Sequence, residues 1–238
     1  MPTIRPVFKN GEKYHIISRS IDERCIFKET KDYQRFARNL YWFNDRETTL
    51  QAYSRFYATD SACKEILLRA KYDREILVKI ISVCLMPNHI HLLLEQVTND
   101  GISQFMKKLA GGYACYFNNK YKRCGHVFQG RFKVQHIQTL DTLFNTACYI
   151  HTHLAISMIR KQKNYKKIDQ KKIIQVIEYY KWSSYKDCVG DRDFPYLLYL
   201  YPLWEIMAQD KWREVTYKWI KTNINLIIKE TNNNIMFE

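Results

Sequence analysis

Two pairs of residues in this chain have the types and spacing for metal-assisted chemistry. In "MPNHIHLL" (86–93), His89 and His91 stand two apart within a run of aliphatics. On a strand such residues point to one side, so both imidazoles project together and can chelate one divalent ion. Surface or hydrogen-bonded histidines would carry the same spacing. In "ACYIHTHLAIS" (147–157), Tyr149 and His153 are four apart, one turn of a helix, and face the same way. If that helix packs on the sheet face bearing His89 and His91, His153 completes a three-ligand set. Tyr149 then reaches an open coordination position where a substrate oxygen would sit. The plainer alternative for Tyr149 is a half-buried amphipathic tyrosine, in a chain that has 18 tyrosines. His151 lies about 200° around the helix from Tyr149 and is not expected to ligate.

Something must position these groups. "KYHIISRS" (13–20) alternates like a strand, and "KDYQRFARNLYWFND" (31–45) has helical spacing, with Tyr33, Phe36, Leu40 and Phe43 on one stripe. "ILVKIISVCLM" (76–86) is rich in β-branched residues, Pro87–Asn88 turns the chain, and "HIHLLLEQ" (89–96) runs back beside it. A helix over 101–121, despite its glycine pair, a short strand over 131–138 and a helix over 141–159 follow, with Asp141 as the expected N-cap. The polar stretch 46–75, with a second helix near 61–75, reads as an insertion. The order β-α-β-β-α-β predicts an α+β, ferredoxin-like antiparallel sheet. Helices cover one face, and the other is left for a ligand or for the tyrosine-bearing helix. Residues 1–160 form the expected chemical domain, and 161–238 a basic, mainly helical C-terminal extension, with a helix around 204–228.

At 238 residues and 46% hydrophobic, the chain can bury one sizeable core. The net charge of +14 is unevenly placed: residues 101–190 hold 16 lysines and arginines against four acids, and 101–140 hold seven basic residues and no acid. Those seven are Lys107, Lys108, Lys120, Lys122, Arg123, Arg131 and Lys133, interleaved with aromatics in "YACYFNNKYKRCGHVFQGRFK". Such a mixture suits phosphates and unstacked bases, so nucleic acid is the expected partner, with His126 and Gln129 as further base contacts. Tyr113, Tyr116 and Tyr121 have Phe117, Lys120 and Gly125 four positions on. None of these is a ligand type, so the three tyrosines read as packing or base-stacking groups. Seven scattered cysteines without a CxxC pair suggest reduced thiols in a cytoplasmic protein. A zinc site from Cys115, Cys124 and His126 has no recognised spacing. No signal peptide is read at the start, and the longest apolar run is short and interrupted by proline, so no membrane span is expected.

"LMPNHIHLLLE" resembles the His–hydrophobic–His motif of single-tyrosine HUH (IS200-like) transposases, and more closely their REP-associated branch. Four more pieces are similar and fall in the same order: "KYHIISRSIDERCIF", "YFNNKYKRCGHVFQGRFK", "ACYIHTHLAIS" and "KWSSY". Together they span most of 13–190. The resemblance implies a ferredoxin-like nuclease that cleaves and rejoins single-stranded or hairpin (REP-like) DNA through a 5′-phosphotyrosine. His89 and His91 would be ligands for Mg²⁺ or Mn²⁺, Tyr149 the nucleophile and His153 the third ligand. The seven basic residues would hold phosphates. The chain departs from that branch at His153–Leu154, where Asn–Pro is typical; a histidine there makes the site more nitrogen-rich and softer. The competing expectation is a DNA-binding protein that has lost cleavage. A relaxase, with further domains and often a second tyrosine, fits this short chain less well. Monomer and homodimer both remain open.

Overall fold

The computed structural model describes residues 7–46, 75–160, 170–191, 194 and 197–232. The proposed insertion, its helix and the lysine-rich run at 161–169 lie outside these residues. Four strands, β1 (Lys13–Arg19), β2 (Val78–Met86), β3 (His89–Gln96) and β4 (Lys133–Ile137), form one antiparallel sheet in the order β2-β3-β1-β4. Helix α1 (Thr30–Trp42) falls between β1 and β2, and α2 (Gly101–Tyr121) between β3 and β4. This is the expected βαββαβ pattern with the ferredoxin-like strand order. Helix α3 (Leu140–Arg160) follows, then α4 (Gln170–Tyr179), α5 (Tyr185–Val189), α6 (Tyr201–Trp204) and α7 (Trp212–Asn232). The helical C-terminus expected around 204–228 is mainly α7, which begins at Trp212, with the short α6 ending at Trp204, and α4 has no counterpart in the sequence reading.

Packing divides the described residues into two compact units. One holds those of Met1–Lys79, Pro87–His89 and Leu94–His136; the other holds those of Ile80–Met86, Ile90–Leu93 and Ile137–Glu238.

In the first unit, α1 packs on α2 through aromatics. Phe27 stacks on Tyr33 at 4.6 Å, and Phe36 meets Tyr113 edge-on at 5.0 Å. The glycine pair in α2 has a packing reason at one of its two positions. A Cβ at Gly112 would lie 2.3 Å from the Phe43 ring, whereas one at Gly111 would meet nothing within 4 Å. Asn44, just past α1, accepts from the Leu77 and Val78 amides at 3.0 and 2.9 Å and donates to the Val78 carbonyl at 2.7 Å. That buried amide fixes where β2 begins.

In the second unit, Ile81 and Cys84 of β2 and Leu93 of β3 share a core with Leu143, Ala147 and Ile150 of α3 and with Leu203 and Trp212. The "KWSSY" segment acts here as a strand cover. The Leu85 amide donates to the Trp182 carbonyl and the Ser184 amide to the Val83 carbonyl, each at 2.9 Å. The Val83 amide donates to Ser184 Oγ at 2.9 Å, and the Tyr199 amide reaches the Ile80 carbonyl at 2.7 Å. The C-terminal region thus fills the outer hydrogen-bonding edge of β2, so it is part of the folded body and not a loose appendage.

Candidate functional site

The site begins at the Pro87–Asn88 turn. Its carbonyls are held from one side: the Ser20 amide donates to Asn88 at 2.9 Å, and the Ile26 and Phe27 amides donate to Pro87 at 2.7 and 3.2 Å. From this fixed start β3 alternates, so His89, His91 and Leu93 share a face, and Leu93 belongs to the core that α3 completes.

Helix α3 starts one residue before Asp141. Its N-cap is Thr139, whose hydroxyl accepts the Thr142 amide at 3.1 Å. The expected cap, Asp141, instead lies in the first turn, where its charge suits the positive end of the helix dipole. The buried stripe of Leu143, Ala147 and Ile150, with Leu154 partly buried, sets the rotation of the helix. Asn145, which shares the Tyr149 and His153 face, is occupied structurally, accepting from the Trp219 indole at 2.8 Å.

That rotation brings the predicted groups together. One ring nitrogen from each of His89, His91 and His153 lies within 4.8 Å of the others. The His91 and His153 rings are 4.2 Å apart, and the half-buried Tyr149 ring lies 4.9 Å from His153 and 5.8 Å from His91. The three histidines are 7, 1 and 4% exposed, so a bound ion would exchange much of its water for protein nitrogen. Among the described residues this is the one such group, and it contains no carboxylate or thiolate. Imidazole nitrogens are good ligands for a divalent metal and coordinate at ~2.0–2.1 Å. Three such nitrogens this close together, and buried, suit a shared ion, so the donor set fits a metal. Three protein ligands leave coordination positions for substrate oxygen.

Sequence reasoning missed Asn88. Its Oδ1 lies 2.7 Å from His89 Nδ1. With the carboxamide oxygen as acceptor, Nδ1 carries the proton and Nε2 presents its lone pair. The only signal was adjacency: an amide one position before the first histidine.

His151 stays out of the group, as expected. Its Nε2 is 3.2 Å from Ser184 Oγ and 3.4 Å from Ser82 Oγ, and burial pushes its pKa down to about 3.

The hydroxyls of the three tyrosines of α2 are all engaged within the fold. Tyr113 is buried and its hydroxyl donates to the Ile26 carbonyl at 2.6 Å. Tyr116 and Tyr121 donate to the two oxygens of buried Asp32 at 2.9 and 2.7 Å. Lys120 belongs to the same cluster, 2.5 Å from Asp32 and 2.6 Å from Glu29. Burial raises the Asp32 pKa, but bonds from Lys120, Tyr121, Tyr116 and the Lys28 amide outweigh it and hold the carboxyl below its ordinary value. Lys120 therefore has a structural partner that the sequence did not reveal. Lys108 is likewise engaged, donating to the Asp45 carbonyl at 2.5 Å. Lys107, Lys122, Arg131 and Lys133 are exposed, and Arg123 is half-buried over the Phe117 ring at 5.6 Å. Cys115, Cys124 and His126 form no metal-binding group among the described residues. No helix among those residues is long and apolar enough to cross a membrane.

A family model described as "Transposase IS200 like" matches residues 9–153, more than half of the chain. A search of curated proteins gave no match. One solved structure with a similar course is described as "Structure of the REP associates tyrosine transposase bound to a REP hairpin". It is 13% identical over 80% of this chain and 86% of that one, with a TM-score of 0.46.

Proposed function

The chain belongs to the IS200-like transposase family, and we propose that it cleaves and rejoins single-stranded DNA, REP-like hairpins in particular, with Tyr149 as nucleophile and a divalent metal held by His89, His91 and His153. The observation that carries this reading is the convergence of the Tyr149 ring with His91 and His153, at 5.8 and 4.9 Å.

A phosphodiester repels nucleophiles by its charge. The metal, when bound, supplies a positive charge that neutralises a non-bridging oxygen and polarises phosphorus. Tyr149 Oη gives its proton to solvent water and attacks phosphorus; the P–O3′ bond breaks, a 5′-phosphotyrosine forms, and the released 3′-oxygen takes up a proton from solvent. The bond energy is kept in the phosphotyrosine, so a second 3′-OH can reverse the step and join a new strand without ATP. A free phenol has a pKa near ~10, which is why the nucleophile must sit beside the cation. The exposed Lys107, Lys122, Arg131 and Lys133 hold backbone phosphates, with Lys108, Lys120 and Arg123 as weaker contributors because each is already engaged or half-buried. Residues 1–160 carry the chemistry, in a cytoplasmic enzyme, and 161–238 complete the fold around it.

Incubation with single-stranded hairpin DNA and a divalent metal, followed by denaturation, is expected to give a covalent protein–DNA adduct that Tyr149→Phe does not form. An equal adduct from that variant overturns the assignment. His153–Leu154, in place of the branch's Asn–Pro, favours a second reading, a hairpin-binding protein without cleavage. Salt-sensitive binding with no adduct under any divalent metal supports that one.

A further inference from the structure

We infer that His153 sets the metal preference of this site, turning it toward a late first-row divalent ion (Co²⁺, Ni²⁺ or Zn²⁺) in place of the Mg²⁺ or Mn²⁺ that the resemblance implied, and that Asn88 positions His89 for that ion. The inference rests on the proposed reading only in taking the same three histidines as ligands.

The donor set carries the argument. Mg²⁺ is a hard ion that demands oxygen ligands in near-ideal octahedral geometry and gives up its water reluctantly. The candidate group offers it three imidazole nitrogens and no carboxylate among the described residues. Imidazole suits late first-row ions, whose affinity for nitrogen rises along the Irving–Williams order. An asparagine at 153 would supply one carbonyl oxygen and leave a mixed set that a hard ion tolerates. His153 removes that oxygen, and its ring lies 4.2 Å from His91, near enough for both nitrogens to reach one ion. Burial strengthens the discrimination. With the three side chains 7, 1 and 4% exposed, an ion in the site exchanges several waters for protein donors, a step Mg²⁺ resists most.

Asn88 adds a second element. Its Oδ1, 2.7 Å from His89 Nδ1, holds the proton on that nitrogen and leaves Nε2 as the ligand atom. It does for His89 what an outer carboxylate or carbonyl does for a metal-bound histidine, fixing tautomer and ring angle. The Asn88 main-chain carbonyl is itself held by the Ser20 amide at 2.9 Å, which anchors the backbone that carries this amide.

The test is a titration of metal-free protein, without a histidine tag, by Co²⁺, read by visible absorption, with Mg²⁺ as competitor and the DNA adduct measured in parallel under each ion. The expected result is a visible Co²⁺ band that saturates at one equivalent and survives a large excess of Mg²⁺. His153→Asn is expected to weaken Co²⁺ binding by about 10–100-fold and to narrow its margin over Mg²⁺. Asn88→Ala is expected to weaken it by about tenfold while keeping the shape of the band. Displacement of Co²⁺ by comparable Mg²⁺ overturns the inference, as does unchanged Co²⁺ affinity in His153→Asn. The competition on the unaltered protein decides the matter even if a variant fails to fold. Adduct formation as strong in Mg²⁺ as in Co²⁺ overturns this inference while the proposed function stands. Tight one-to-one Co²⁺ binding without any adduct supports the inference while the proposed function falls.

Discussion

Two clusters in this molecule combine tyrosines with ionisable side chains, and they are built on opposite plans. Around Asp32, one buried carboxylate accepts five donors: the Lys28 and Glu29 amides, the Tyr116 and Tyr121 hydroxyls and the Lys120 ammonium. Negative and positive charge are both supplied by the chain. Burial and then the bond to Asp32 push the Tyr121 hydroxyl up to about 12, and Lys120 is held above its ordinary value by its bonds to Asp32 and Glu29 against the effect of burial. Such tyrosines keep their protons and cross-link the fold. Around His91, by contrast, three imidazoles and one half-buried tyrosine converge with no carboxylate in the group. That arrangement offers three ligand nitrogens to a cation from outside. The first cluster balances its own charge and acts as a joint; the second presents donor atoms to a ligand.

The comparison can be attacked from several sides. The largest expected effect is on chemistry: Tyr149→Phe should lose the covalent adduct entirely, whereas Tyr121→Phe should keep it, as denaturing gels will read. Next in size, Asp32→Ala strands Lys120 and two tyrosine hydroxyls in a cluster whose carboxylate is fully buried. Loss of one partner of a buried pair costs about 3–5 kcal/mol, and the quarter exposure of Lys120 puts this case toward the lower end. Urea unfolding measures it, and adduct yield per folded molecule should not change; a large change would mean that the Asp32 cluster takes part in the chemistry.

A third effect separates charge from packing. His15 is buried, and desolvation, partly offset by a bond to Gln135, pushes its pKa down to about 4. Its folded pKa is below the unfolded one near 6.5, so between pH 6.5 and 4 the unfolded chain binds the proton and the native one does not. Stability therefore falls with pH in that window, by about 1.4 kcal/mol per unit at most. His15→Gln should flatten that slope in unfolding curves taken across it. The smallest effect is a pair of glycines. Gly111→Ala meets open space and should stabilise α2 by about 0.5–1 kcal/mol. Gly112→Ala drives a methyl into the Phe43 ring and should destabilise by about 1–3 kcal/mol. Thermal unfolding distinguishes the signs.

Much of the site was legible because its geometry is local. His89 and His91 obey the strand period and Tyr149 and His153 the helical turn, so each pair could be placed without tertiary knowledge. Packing of the helix on the histidine face stood in the sequence only as a condition; in the fold, Leu143, Ala147 and Ile150 share a core with Leu93 of that face. What could not be read depends on long-range contacts. Lys120 looked like one of seven phosphate-binding cations because its partner Asp32 lies 88 positions away. Likewise Tyr116 and Tyr121 read as packing or stacking groups, and nothing in the sequence indicated that their hydroxyls meet that carboxylate. Helix α4 was hidden by a charge-rich flank that reads as solvated chain. The N-cap slipped from Asp141 to Thr139 because Ser, Thr, Asp and Asn all cap, and only the bond from the Thr142 amide identifies which does. The "KWSSY" motif gave no hint of its role, since covering a strand uses backbone groups that any sequence possesses.

That cover has a consequence for how the protein can be cut. The region matched by the family model ends at residue 153, but the amide of Leu85 and the carbonyls of Val83 and Ile80 are bonded by residues 182–199. A fragment trimmed to the matched region would bare a long apolar strand with unsatisfied amides and carbonyls, a template for edge-to-edge aggregation. Solubility of the matched segment is thus a property encoded some thirty to forty-five residues beyond it.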